Sequence, residues 1–148
     1  MTSKERVLKR EYDRGRMAAQ EVQDKSSGMT GTELNAVDDR IPRFSAAVKK
    51  MNMQDRPIGF VCKSSAGRVV KLLQPYNSKT YTQEPEDIPA QWGFVWSKDP
   101  AKALPFIALS TSPYMIGDCC TENGTTYRST IDNNVWSPSA HPAGWTIA

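Results

Sequence analysis

From about Arg56 to the end of the chain, no apolar run lasts longer than a few residues. GFVCK, RVVKLLQ, WGFVW, PFIAL, YMIGDCC, TTYRSTI and GWTIA are rich in Val, Ile, Thr and aromatic residues, and each is bounded by Gly, Pro, Asn or Ser. That pattern predicts a body of short strands joined by turns. One turn is spelled out. Asn123-Gly124 is the dipeptide that best fits a two-residue hairpin, so residues 114–120 and 125–131 are expected to pair antiparallel.

The N-terminal part reads differently. Between Ser3 and Lys25 only Gly15 interrupts a run of good helix formers, which predicts one helix. Its apolar positions are sparse: Val7, Leu8, Tyr12, Met17 and Val22, with Leu8, Gly15 and Val22 seven apart. A helix so thinly apolar buries little by itself and must dock on a partner, pair with copies of itself, or remain a solvated arm. Ser26, Ser27, Gly28 and Gly31 then break it, and a turn of helix is expected to restart at Thr32, whose hydroxyl precedes an acidic first turn. Pro42 in IPRF pushes Ile41 out of the helical region, and residues 45–51 suit another helical turn.

The expected fold is therefore α+β and mainly β. Residues 1–28 form a helical arm, 29–55 a linker with short helical turns, 56–110 a first small β unit and 111–148 a second.

At 148 residues the chain can bury one modest core or two very small ones. Its net charge of +3 is already accounted for by the first 16 residues, where six basic side chains face three acidic ones. The remainder is neutral, which argues against nucleic acid as a partner. No apolar run approaches the roughly 18 residues of a membrane span, and MTSKERVLKREYDRGR lacks the apolar segment of a secretory signal, so neither membrane insertion nor export by the usual route is expected.

Within the body, two stretches resemble each other. Residues 59–77 run Gly59, Cys62, Gly67, then an apolar strand and Asn77; residues 117–134 run Gly117, Cys120, Gly124, then a strand and Asn134. Each is followed by Pro-x-x-Trp, Pro89 to Trp92 and Pro142 to Trp145. The pattern predicts two degenerate copies of one hairpin with a return strand.

The last stretch also concentrates aromatic rings. Tyr114, Tyr127, Trp136 and Trp145 accompany Asp132, Asn133 and Asn134. A pyranose ring has an apolar C–H face that a flat Tyr or Trp can cover, while Asn and Asp exchange hydrogen bonds with its hydroxyls. Every one of these residues also has a structural use. Trp145 after Gly144 fits a core plug, Tyr127 fits either core or platform, and Trp136 in a Pro-bounded loop fits an exposed ring or one packed beneath the loop. Asn133 and Asn134 can simply tie off their own turn. Trp92 and Trp96, four apart, fit core or subunit interface.

The arrangement Tyr114-x-x-Gly117-Asp118, Asn123-Gly124, Tyr127, Asn134-x-Trp136-Ser137-Pro138 and Pro142-x-Gly144-Trp145 resembles the small chitin-binding type of carbohydrate-binding module. It is most similar to the version in tail-module proteins of phages and prophages of Gram-positive bacteria. MTGTEL, IPRF, LLQPYN and AQWGFVWSKDPAKALPF resemble short prophage proteins that carry such a module. The resemblance implies a minimal antiparallel sheet and a virion protein of the tail, baseplate or fibre, made in the cytoplasm of a bacterial host. It implies attachment to other virion proteins, with the N-terminal helix the expected anchor, and host-surface glycan bound by Trp136, Tyr127, Tyr114, Trp145, Asn133 and Asn134. Homo-oligomers are expected, a trimer being the form that fibre-type proteins suggest. The other reading is an architectural head-fibre, decoration or cement protein that touches no sugar. Cys119 and Cys120 depart from the family pattern after Gly-Asp, where a polar and an aliphatic residue are usual.

The chain reads poorly as an enzyme. His141 precedes Pro142 in a Pro-rich loop, no Gly-x-Ser-x-Gly elbow exists, and GMTGTE lacks the features of a phosphate loop. Glu84, Glu86 and Asp87 cluster in TQEPEDIP, which suits a solvated loop better than a hydrolytic cleft. Three cysteines and a single His supply too few ligands at close spacing for a metal site, and no cofactor is expected. A bridge from Cys62 to Cys119 or Cys120 remains open alongside reduced thiols.

Overall fold

The computed structural model describes residues 2–148, with the side chains of residues 8 and 11–17 outside that description. The first helix, α1 (Ser3–Lys25), has the expected bounds and opens with a capping box: Thr2 accepts from the Glu5 N–H while the Glu5 side chain accepts from Thr2 N–H. Val22 is buried near its C-terminal end, whereas the described side chains of residues 2–10 are exposed. The expectations for Leu8, Tyr12, Gly15 and Met17 lie outside the described residues. Gln23 fastens the helix to the body. Its amide donates to Val61 O (2.7 Å) and accepts from Val61 N–H (2.9 Å), satisfying the outer edge of the first strand as a neighbouring strand would.

Two short helices follow, α2 (Gly31–Ala36) and α3 (Phe44–Lys50). The cap of α2 is Thr30, in a capping box with Glu33, and not Thr32. Thr32 instead accepts a hydrogen bond from Lys98 N–H, because a start two residues earlier moves its hydroxyl from the helix mouth to the flank. Gly31 lies against the main chain of Trp96: a Cβ there would sit 2.3 Å from the Trp96 carbonyl oxygen. Backbone cannot step aside as a side chain can, so Gly31→Ala is expected to cost about 1–3 kcal/mol, measured as a lower urea midpoint with the slope unchanged.

Residues 29–55 are not a linker. Leu34, Ile41, Phe44, Ala47 and Met53 are buried and supply much of the hydrophobic core. Each helix is too short to show a hydrophobic period, which is why its apolar residues read as incidental.

Five of the seven expected runs hold a strand well inside them, while PFIAL meets its strand only at Pro105 and YMIGDCC only at Cys119 and Cys120. β1 (Val61–Lys63), β2 (Val69–Leu72) and β3 (Trp92–Phe94) form one antiparallel sheet. β4 (Leu104–Pro105), β5 (Cys119–Glu122), β6 (Thr125–Ser129) and β7 (Trp145–Ile147) form the other, in that order, with β4 parallel to β5. The boundary at 110 is thus crossed, since β4 belongs to the second sheet. Asn123 (φ 51°) and Gly124 (φ 81°) make the expected hairpin turn. The pairing is shorter than expected, because Tyr114 bridges Asn134 instead and residues 115–118 turn tightly. The first sheet is buried on both faces. Cys62, Val70, Leu72, Trp92 and Phe94 pack with α3, and Val61 and Val69 pack with Val22, Leu34 and Ile41. No helix among the described residues is long and apolar enough to cross a membrane.

The two sheets repeat one hydrogen-bonding frame. Gly59 N–H donates to Leu72 O and Leu72 N–H to Phe60 O; Gly117 N–H donates to Ser129 O and Ser129 N–H to Asp118 O. Leu73 N–H donates to Gln91 O as Thr130 N–H does to Gly144 O. Before each hairpin stands a turn closed by Phe60 N–H to Pro57 O or by Asp118 N–H to Met115 O, with Gly59 (φ 91°) or Gly117 (φ 93°) third in the turn, where only glycine is comfortable. A lead-in segment runs parallel to the first strand in both copies, Arg43 beside Lys63 and Pro105 beside Thr121. The next residue is phenylalanine each time. Phe44 meets Trp92 edge-on at 5.8 Å and 86°, and Phe106 meets Trp145 edge-on at 6.0 Å and 89°. The repeat therefore spans the lead-in, the hairpin and the return strand.

Candidate functional site

The loop joining β6 to β7 is organised by Asn134, which is fully buried. Its Nδ2 donates to Ser129 Oγ and Gly144 O, both at 3.0 Å, and its Oδ1 accepts from Trp136 N–H at 3.3 Å. Its main chain exchanges both hydrogen bonds with Tyr114. Every polar atom of this side chain is engaged in holding the loop. Asn133, with φ 53°, takes the left-handed conformation that lets the chain turn, and Asp132 accepts from Ile116 N–H at 3.0 Å.

Of the four rings singled out in the sequence, two are spent on packing. Tyr114 and Trp145 are buried in the second core with Cys120. Tyr114 stacks on Trp96 at 4.3 Å and 10° and on Phe106 at 5.4 Å, and meets Trp145 at 5.3 Å and 69°. This column joins the two sheets: Trp96 follows β3 of the first and Phe106 follows β4 of the second. A sheet this small needs large plugs, and the demand for buried area took these rings. As glycan platforms, Tyr114 and Trp145 are corrected to core, and Asn134 to loop hub. Tyr127 is half-buried, with one side against that core and the other on a groove of about 440 Å³ shared with Glu122, Pro138 and Ile147.

Trp136 alone among the four is openly exposed, at 50 %. Its main chain is pinned on both sides of the ring: the Trp145 indole N–H donates to its carbonyl at 2.8 Å, and its own N–H donates to Asn134. His141 lies beside it, with ring centroids 5.4 Å apart and a tilt of 58°. The structure thus holds one exposed aromatic in a fixed place, with an imidazole at its flank. His141 was not seen as part of this site from sequence, where it figured only as a catalytic residue lacking partners. The spacing from Trp136 across Pro138 gave no signal of contact.

The acidic cluster at residues 84–87 is not a solvated loop. Glu86 pairs with Arg68 at 2.9 Å, both side chains being largely buried, and accepts from Ser64 Oγ; Glu84 accepts from Ser65 N–H. Arg68 also donates to Pro105 O at 2.7 Å, tying the first sheet to β4 of the second. Burial under this lattice was invisible in a sequence that is charged and Pro-rich there.

Cys62, Cys119 and Cys120 are free and buried. Burial pushes the Cys120 thiol up to about 12 and raises Cys62 and Cys119 as well, so all three are held as protonated thiols of low reactivity. Among the described residues no group of three or more His, Cys, Asp or Glu side chains is placed to hold a metal ion. In comparisons with known proteins, no family model, curated protein or solved structure matches this chain.

Proposed function

We propose that this chain is a virion accessory protein, associated with a tail, baseplate or fibre, whose C-terminal unit binds host-surface glycan through Trp136. The observation that carries this reading is the exposed indole of a residue whose main chain is held by hydrogen bonds at both its N–H and its carbonyl. A solvent-facing ring on a main chain that is already held has little backbone freedom left to lose when a sugar stacks on it. One such ring binds weakly, so attachment depends on many copies displayed on one particle. The N-terminal part of α1 is the attachment element. Its described side chains lie open to solvent, and a helix end of that length is marginal in water without a partner to cover it. Other virion proteins, or copies of the same chain in a homo-oligomer such as a trimer, supply that cover. Synthesis is in the bacterial host cytoplasm and the working location is the virion.

A second reading has its own support. Tyr114 and Trp145 are core, while Ile58, Ile116 and Ile147 stand exposed, which suits a head-fibre, decoration or cement protein that packs against a particle and binds no sugar.

Co-sedimentation with bacterial cell walls, and with chitin as a proxy, separates the two. Trp136→Ala is expected to lose at least 10-fold in retention on the glycan, with its thermal midpoint within a few degrees of the parent because the ring is exposed. Equal retention by the variant would place the sugar contact away from Trp136, and no retention by the parent on any wall would leave the architectural reading.

A further inference from the structure

From the repeated frame we infer a second glycan site on the first unit, centred on Tyr81 in the return loop that matches the one carrying Trp136; it rests on the glycan reading above. The return loops of both units start and end at matching hydrogen bonds, Leu73 to Gln91 and Thr130 to Gly144. Each closes on a second matching bond, Gln91 N–H to Ile88 O and Gly144 N–H to His141 O, so Ile88 and His141 are counterparts, four residues before Trp92 and Trp145 respectively. Tyr81 lies seven residues before Ile88, and Trp136 five before His141, near the middle of loops that differ in length by four. Both rings are exposed, Tyr81 at 55 %. Both loops are tied to the return-strand tryptophan, whose indole N–H donates to Tyr76 Oη in the first unit (3.1 Å) and to Trp136 O in the second.

The first-unit site has more shape than its counterpart. Tyr76, Tyr81, Ile88 and Gln91 line a cavity of about 310 Å³. That volume lies at the small end of ligand pockets and suits a sugar unit and not an extended chain. Tyr81 offers a ring face and Ile88 an apolar floor. Tyr76 Oη accepts from Trp92 and donates to no group among the described residues. The Gln91 side chain has no hydrogen-bond partner among the described residues, which leaves its amide to meet hydroxyls. None of the four is charged, so the occupant is a neutral pyranose and not an acidic sugar. The sequence made no mention of this site because Tyr81 sits in a polar stretch with no aromatic neighbours except Tyr76.

The test uses the full chain and the β-1,4-linked tetramer of N-acetylglucosamine, titrated by calorimetry, with chitin beads as a second probe. The expected result is two tetramers per parent chain, one per chain for Tyr81→Ala and for Trp136→Ala, and none for the double variant. On beads, either single variant should lose at least 10-fold in retention, as a bivalent attachment becomes monovalent. If Tyr81→Ala still binds as the parent does while Trp136→Ala binds nothing, the second site is overturned and the glycan reading stands. If the parent takes up no tetramer and no bead-bound glycan, both fall. Tyr81 is exposed and makes no side-chain hydrogen bond among the described residues, so its variant should melt with the parent; Tyr81→Phe, which keeps the ring, should retain stoichiometry.

Discussion

Glu86→Gln is expected to lower the free energy of unfolding by about 3–5 kcal/mol, seen in urea titrations as a fall in midpoint with no change in slope. The side chains of Arg68 and Glu86 are only 9 % and 14 % exposed, so water cannot take the place of the lost charge. Arg68 would keep its bond to Pro105 O but sit as an uncompensated cation at the seam between the sheets. The site is already imperfect, since Arg68 Nε and Glu86 Oε1 have no partner among the described residues. For that reason Arg68→Met combined with Glu86→Leu should recover most of the loss, as apolar replacement of a whole buried pair commonly does. A loss below about 1 kcal/mol in the single variant would mean that the pair behaves like an exposed one, and that the sheets are held by the aromatic column alone.

Trp92→Ala should cost about as much, roughly 3–5 kcal/mol, for a different reason. Trp92 is fully buried, meets Phe44 and Tyr76 edge-on at 5.8 and 6.2 Å, and donates to Tyr76 Oη. Its removal leaves a cavity and strips Tyr76 of a partner at once. Trp145→Ala, at the equivalent place in the second unit, is expected to cost less, because that core has fewer buried residues and Trp145 keeps an exposed edge. Thermal denaturation of both variants checks the order. A larger loss from Trp145→Ala would show that the aromatic column, and not the first sheet's core, dominates stability.

Elements whose signal is local were legible before the structure. The bounds of α1, the Asn123-Gly124 turn and the positions of β1, β2, β3, β6 and β7 follow from propensity and turn chemistry, which neighbouring residues settle among themselves. The repeat was also visible, through Gly59 and Gly117, Gly67 and Gly124, and Trp92 and Trp145, because the four glycines meet a backbone need, all having positive φ, and the two tryptophans fill the cores. Helix α2 shows the limit of such reasoning. A capping residue and an acidic first turn were both expected, yet Thr30 and Thr32 offer the same hydroxyl, and the choice fell to Thr30 once Gly31 had to pass against Trp96.

The candidate site was legible only in its residue types. Four rings and three polar residues in one C-terminal stretch suggested a binding face, but a small sheet must fill its own interior first. Tyr114 and Trp145 went to the core, Asn134 to the loop's internal bonds, and Trp136 was left outside. Which ring is spent on packing depends on where strands from residues 56–110 approach, and no local pattern carries that information. The same holds for Arg68, Glu86 and Pro105, which meet across separations of 18 and 37 residues. By itself the sequence determined where the backbone turns, where it extends and that it does so twice. The tertiary structure alone decided which aromatic rings face water, because exposure is settled by competition for a limited interior among residues far apart in the chain.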